Sequence, residues 1–159
     1  MARPTRTFLD SGVLIAAFKG QPAIGDRAAR ILKDPNRLFL TSPFVRLELC
    51  PKALFNRQQE EYDFYQRYFA LAEMSHNLKA ILTIGTAEAT SCGVGPMDSL
   101  HVAAAHLLRA DEFITTEKPK KSIHRSSLVN VRYLGSCPKS VITFRSAAAN
   151  ERNSDRWRQ

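Results

Sequence analysis

The chain has 159 residues, 44% of them hydrophobic, and a formal net charge of +8. That size and apolar share suit one domain with a packed core, and no run of about 18 apolar residues is present to span a membrane. A positive balance of this size favours phosphate-rich partners, because neutralising phosphates releases condensed counterions. Cys50, Cys92 and Cys137 stand far apart with no Cys-x-x-Cys pair, which argues against structural zinc and against a disulfide scaffold. Reduced thiols fit the cytoplasm, and Asp10 interrupts the early apolar stretch where a signal peptide would be continuous. The expected location is therefore cytoplasmic.

In chain order, Thr7 to Leu9 reads as a short buried strand ending at Asp10, followed by Gly12 and a short helix over Val13 to Phe18. Gly20, Pro22 and Gly25 break the chain, and a second helix is expected over Asp26 to Lys33. Asp34-Pro35-Asn36 is a turn signal before a strand at Leu38 to Leu40. Thr41 or Ser42 is placed to cap the next helix, with Pro43 at its first position and an end expected near Pro51. Arg57 to Glu73 reads as a long aromatic-rich helix, with a brief strand near Ala72 to Ser75. A helix over Leu78 to Ser91 follows, closed by Cys92-Gly93-Val94-Gly95-Pro96. Leu100, Ala103, Ala104, Leu107 and Leu108 then recur at helical spacing in a helix expected to begin at Asp98 or Ser99. Strands are expected at Phe113 to Thr115 and at Val129 to Leu134.

Short apolar strands alternating with helices predict an α/β fold. The expectation is a three-layer α/β/α sandwich around a central, mainly parallel sheet of four to five short strands. Residues 5–144 would form this domain, and the polar residues 145–159 a disordered tail.

Four acids fall at the edges of these elements: Asp10, Glu48, Asp98 and Glu117. Functional groups in parallel sheets gather at the carboxyl ends of the strands. Asp10 and Glu117 lie at or just after such ends, and Glu48 and Asp98 on helices placed to reach the same edge. Clustered carboxylates repel each other unless a cation offsets their charge. Hard cations such as Mg²⁺ and Mn²⁺ take carboxylate oxygens, and one or two of them suit phosphodiester hydrolysis. Taken one at a time the acids have ordinary alternatives: Asp10 and Asp98 as helix caps, Glu48 as a solvated helix residue, Glu117 as a loop charge. His101 and His106, five apart and with no Glu in metalloprotease register, read as packing or surface residues. No Gly-x-Ser-x-Gly elbow and no phosphate-binding Gly-Lys-Ser/Thr loop is present.

The four motifs in their order resemble the PIN-domain family, and within it the VapC-type toxin ribonucleases. Leu-Asp-Ser-Gly-Val-Leu-Ile resembles the first motif and gives Asp10. Ser42 followed by Glu48 resembles the second. Met-Asp-Ser-Leu-His-Val-Ala-Ala-Ala resembles the third and gives Asp98, and Ile-Thr-Thr-Glu the fourth, giving Thr115 and Glu117. The likeness runs from about Thr7 to Leu134. It implies a Rossmann-like fold and Mg²⁺- or Mn²⁺-dependent cleavage of RNA, with Asp10, Glu48, Asp98 and Glu117 as catalytic residues. Asp10, Asp98 and Glu48 would hold metal, and Ser11, Ser99 and Thr115 would orient water or phosphate. It further implies a small antitoxin partner and a homodimer. Two departures stand out: Gly12 where the family usually has Asn, and Glu117 where it usually has Asp. They motivate an alternative, a degenerate PIN domain that binds RNA or protein without cutting. The basic segment Lys118, Lys120, Lys121, His124 and Arg125 directly follows Glu117 and is the candidate guide for the RNA backbone.

Overall fold

The computed structural model describes residues 3–136. The expected domain end at residue 144, the polar tail 145–159 and Cys137 lie outside the described residues. Among those described, five strands alternate with six α-helices: β1 (Thr5–Leu9), α1 (Ser11–Lys19), α2 (Ile24–Leu32), β2 (Arg37–Thr41), α3 (Pro43–Phe55), α4 (Gln59–Leu71), β3 (Glu73–Met74), α5 (Leu78–Cys92), α6 (Pro96–Leu107), β4 (Glu112–Thr115) and β5 (Val131–Tyr133). A short 3₁₀ helix, Ser122–Arg125, lies between the last two strands. No described helix is long and apolar enough to cross a membrane.

The five strands form one sheet in the order β3-β2-β1-β4-β5. Every neighbouring pair is parallel. Parallel pairing requires a crossover at each step, and right-handed crossovers place α1 to α4 on one face with α5 and α6 on the other. The order reverses direction between β1 and β4, so the carboxyl ends of these two strands flank the crevice where α/β sheets bind ligands.

β1 is central, and Phe8 and Leu9 are fully buried. Phe8 stacks on Phe113 with ring centroids 5.2 Å apart, and on the same face it meets His101 at 6.3 Å. Leu14, Leu40, Val45, Tyr65, Ile81 and Val102 fill the rest of the core, each contributing about 1.5–3 kcal/mol by leaving water. The aromatic residues of α4 belong to this core, since Tyr65, Tyr68 and Phe69 are buried. Exposed apolar side chains include Leu71 at the end of α4 and Leu47, Leu54 and Phe55 on α3.

Most element ends shift from their expected positions by one or two residues, and the ends of α3 and α6 have identifiable causes. Helix α3 continues through Pro51 to Phe55. Proline deprives the Leu47 carbonyl of its donor, and the loss is tolerable because that stretch is solvent-facing, with Leu47 exposed. Helix α6 begins at Pro96 with Gly95 as its cap, two residues before Asp98. Proline suits the first helical position, where its missing N–H would be unpaired in any case. Asp98 is therefore a first-turn residue and not the cap.

Candidate active site at the carboxyl edge of the sheet

Asp10 follows β1 directly. Its backbone N–H donates to Ile114 O at 3.0 Å, so the ladder with β4 runs one residue past the strand end and fixes the Asp10 backbone. Its side chain caps α1 by accepting from Ser11 N at 2.8 Å through Oδ1. Oδ2 accepts from the buried Thr115 hydroxyl at 2.7 Å. That hydroxyl in turn accepts from Glu117 N at 3.0 Å. Capping and site formation are thus one arrangement: both oxygens of Asp10 are oriented by groups at the ends of β1 and β4.

Glu48 lies in the second turn of α3, six residues beyond the Ser42 cap. Its Oε2 is 2.9 Å from His101 Nε2. His101 is on α6, three residues after Asp98 and therefore on the same helix face. One carboxylate oxygen of Asp10, one of Glu48 and a ring nitrogen of His101 all lie within 4.8 Å of one another. The expectation that His101 is only a packing or surface residue is thereby corrected. It packs on Phe8 and is 1% exposed, yet it also bonds Glu48. Its spacing from Asp98 was the available signal. His106 is exposed and lies 3.2 Å from Leu128 O.

The electrostatics separate the acids. Burial pushes the Asp10 carboxyl above its ordinary range, and the Glu48 charge adds to the effect. Asp98 is also raised, first by burial and then by the Asp10 charge, with Glu117 and Glu48 contributing. Glu48 is lowered, chiefly by its hydrogen bond with His101 and in part by the Ser11 hydroxyl. Among the described residues no lysine or arginine forms an ion pair with Asp10, Glu48 or Asp98. Asp98 also enjoys the positive end of α6. Like charges that raise one another's carboxyls favour a cation, and the group close enough to share one is Asp10, Glu48 and His101, with Asp98 coupled to it through its charge.

The remaining expected residues are distributed as follows. Glu117 is at the rim, with its side chain 43% exposed and 4.0 Å from Lys121 Nζ. Ser99 is buried, and its hydroxyl donates to Pro96 O at 2.7 Å, inside its own helix. Lys118, Lys120 and Lys121 are exposed. Arg125 donates to Gly93 O at 2.7 Å, and His124 Nε2 lies 2.8 Å from Glu117 O, so both tie down the 3₁₀ segment. Gly12 makes a close approach: a Cβ there would collide with the Thr116 hydroxyl. Residue 12 offers only backbone, and Thr116 takes the space of its missing side chain. Two lysines not singled out in the sequence, Lys19 and Lys52, line a cavity of about 130 Å³ that also contains Glu48.

The PIN domain family model matches residues 7–118. No curated protein sequence matches the chain. Solved structures with the same fold include VapBC-1 from nontypeable Haemophilus influenzae, at 17% identity and a TM-score of 0.64, covering 83% of this chain and 100% of that one. VapBC2 from Rickettsia felis, solved bound to a DNA fragment from the promoter, gives 14% identity and a TM-score of 0.63, covering 81% and 98%. A toxin-antitoxin complex from Klebsiella pneumoniae gives 18% and 0.60, covering 77% and 94%.

Proposed function

Because the chain belongs to the PIN domain family, we propose that it is a divalent-metal-dependent endoribonuclease and the toxin half of a toxin–antitoxin pair. One observation supports the reading: oxygens of Asp10 and Glu48 lie within 4.8 Å of each other beside His101 at the sheet's switch point, Asp98 feels their charge, and among the described residues no lysine or arginine pairs with any of the three acids. A protein of net charge +8 keeps an uncompensated negative cluster at one edge, which suits a cation facing a polyanion.

In this reading Asp10, Glu48 and Asp98 hold Mg²⁺ or Mn²⁺. When bound, the ion supplies a lowered pKa for water and positive charge against the developing phosphorane. The protein's own part is orientation. Thr115 and the Ser11 N–H hold Asp10, and His101 holds Glu48. Glu117 stands at the rim, 43% exposed and 4.0 Å from Lys121 Nζ. Lys118, Lys120, Lys121 and Arg125 follow Glu117 in the chain, and Lys19 and Lys52 line the cavity that also contains Glu48. Both groups supply charge for the RNA backbone. Water adds at phosphorus, the P–O bond to the departing strand breaks, and the departing oxygen takes up a proton. The solved neighbours are toxin–antitoxin complexes, which supports an antitoxin as partner, and the exposed Leu47, Leu54 and Phe55 offer an apolar surface for it or for a second copy.

The alternative, a binding module that does not cut, is favoured by Gly12, which contributes no side chain to the site. Purified protein is incubated with several RNAs and Mn²⁺ or Mg²⁺, against EDTA and against Asp10→Asn. Cleavage lost in both controls is expected. A folded wild-type protein that binds RNA in a salt-dependent way and cuts none would establish the binding module instead.

A further inference from the structure

The buried histidine of the site bears on how its metal is held. His101 is 1% exposed. Its Nε2 lies 2.9 Å from Glu48 Oε2, and its Nδ1 is buried with no hydrogen-bond partner among the described residues. Only one of the two nitrogens therefore has anything to bond. Two arrangements compete. In the first, Nε2 is itself a metal ligand beside Asp10 and Glu48, as the 4.8 Å cluster allows. The proton must then sit on Nδ1, as a buried N–H with no acceptor. Leaving such a donor unpaired costs about 1–3 kcal/mol, and histidines that ligate metals almost always donate their second N–H to a partner. In the second, the proton sits on Nε2 and is donated to Glu48, so the ring N–H has an acceptor and only the Nδ1 lone pair is left without a partner.

We propose that His101 is not a metal ligand but the positioning residue for Glu48: its Nε2–H anchors Oε2 and leaves Oε1 as the oxygen presented to a cation shared with Asp10. The inference rests on the metal-dependent reading of the site and deepens it. Two features of the fold support the role. His101 cannot move, because it is packed on the Phe8 ring in the core. Glu48 is freer, because its side chain is 32% exposed and carried by the middle of a helix, with the Ser11 hydroxyl also bonding its carboxylate. A rigid donor therefore orders a flexible ligand across 53 residues of sequence.

The test uses the full chain, Mn²⁺ as the probe and two substitutions. His101→Leu fills the space without a donor, whereas His101→Gln places an amide N–H near the position of Nε2. Mn²⁺ affinity, read by calorimetry, is expected to fall about 10–100-fold in His101→Leu, and His101→Gln should restore most of it. Pulsed EPR of the Mn²⁺-loaded wild type is expected to show no directly coordinated imidazole nitrogen. ¹⁵N NMR of the metal-free protein is expected to place the proton on Nε2. A coordinated-nitrogen coupling that vanishes in His101→Gln, a proton on Nδ1, or wild-type Mn²⁺ affinity in a folded His101→Leu would each overturn the proposal. If the expected pattern is found but no RNA is cut, the nuclease reading falls and the role of His101 stands. If wild-type protein binds no Mn²⁺, the nuclease reading and this role fall together.

Discussion

Glu112 and Asp10 are both buried acids on adjacent strands of one sheet, and they are treated in opposite ways. Glu112 opens β4 at the amino edge, where Arg37 and Arg132 both pair with it and the Thr7 hydroxyl donates to it at 3.0 Å. Burial works to raise its carboxyl, but the two guanidinium groups outweigh burial and hold it below the ordinary value. Asp10 follows β1 at the carboxyl edge, accepts from the Thr115 and Ser11 hydroxyls and the Ser11 N–H with no lysine or arginine paired to it among the described residues, and is raised by burial. An acid that serves the fold is given its counterions by the chain. Asp10, the acid proposed to hold a cation, is oriented but given no lysine or arginine among the described residues, at some cost to stability.

The contrast is broken most severely by exchanging the roles of the two acids. Asp10→Asn is expected to lower RNA cleavage by more than about 10³-fold, since a metal ligand contributes several kcal/mol to the transition state, with the circular-dichroism spectrum unchanged. Glu112→Gln should do the reverse. It leaves Arg37 with Asp34 as its remaining carboxylate partner and is expected to cost about 1–3 kcal/mol in urea unfolding, while activity per folded molecule is retained. Equal loss of activity in both variants would abolish the distinction.

Metal sharpens the comparison next. Mn²⁺ at about 100 times its dissociation constant should stabilise the wild type by about 2.7 kcal/mol, and Asp10→Asn by much less, read as shifts in melting temperature. Glu112→Gln should gain the same increment as the wild type.

Smaller effects follow from the pKa directions. A carboxyl whose folded pKa lies above its unfolded value binds more protons when folded. Its contribution therefore falls as pH rises from the ordinary value of 3.8 through the raised folded pKa of Asp10 or Asp98. Glu112 is the opposite: its contribution is present above the ordinary value of 4.5 and is lost as pH falls through its lowered folded pKa. In metal-free protein, Asp98→Asn should remove part of the first effect. It should raise stability near neutral pH by about 0.5–2 kcal/mol and flatten the pH dependence above 3.8. A metal-free Asp98→Asn protein less stable than wild type at pH 7 would show that Asp98 is compensated after all.

Much of this molecule is legible along the chain, and what escapes reading has a common cause. Asp10 could be placed because a strand, a cap and a helix start fall within a few residues. Asp98 and Glu48 could be assigned to helices near the same edge because helical periodicity and the Ser42-Pro43 start are local. The passage of α3 through Pro51 was hidden, because it depends on which side of the helix faces water. The start of α6 was misread because Asp98 and Ser99 are good caps in isolation, whereas Gly95-Pro96 supplies the start in the folded chain.

Caps, turns and apolar spacing act over three or four neighbours, so the order of elements and the acids at their ends belong to the sequence alone. The pairing of Glu48 with His101, the hydroxyl of Thr116 in the space beside Gly12, and the two arginines on Glu112 belong to the tertiary structure. Each joins residues twenty or more positions apart, where the pairing of β1 with its neighbours and the packing of helices against them sets the distance. Local propensity chooses which groups reach the edge of the sheet. Packing chooses which of them touch, and that choice leaves Asp10 without a cation and gives Glu112 two.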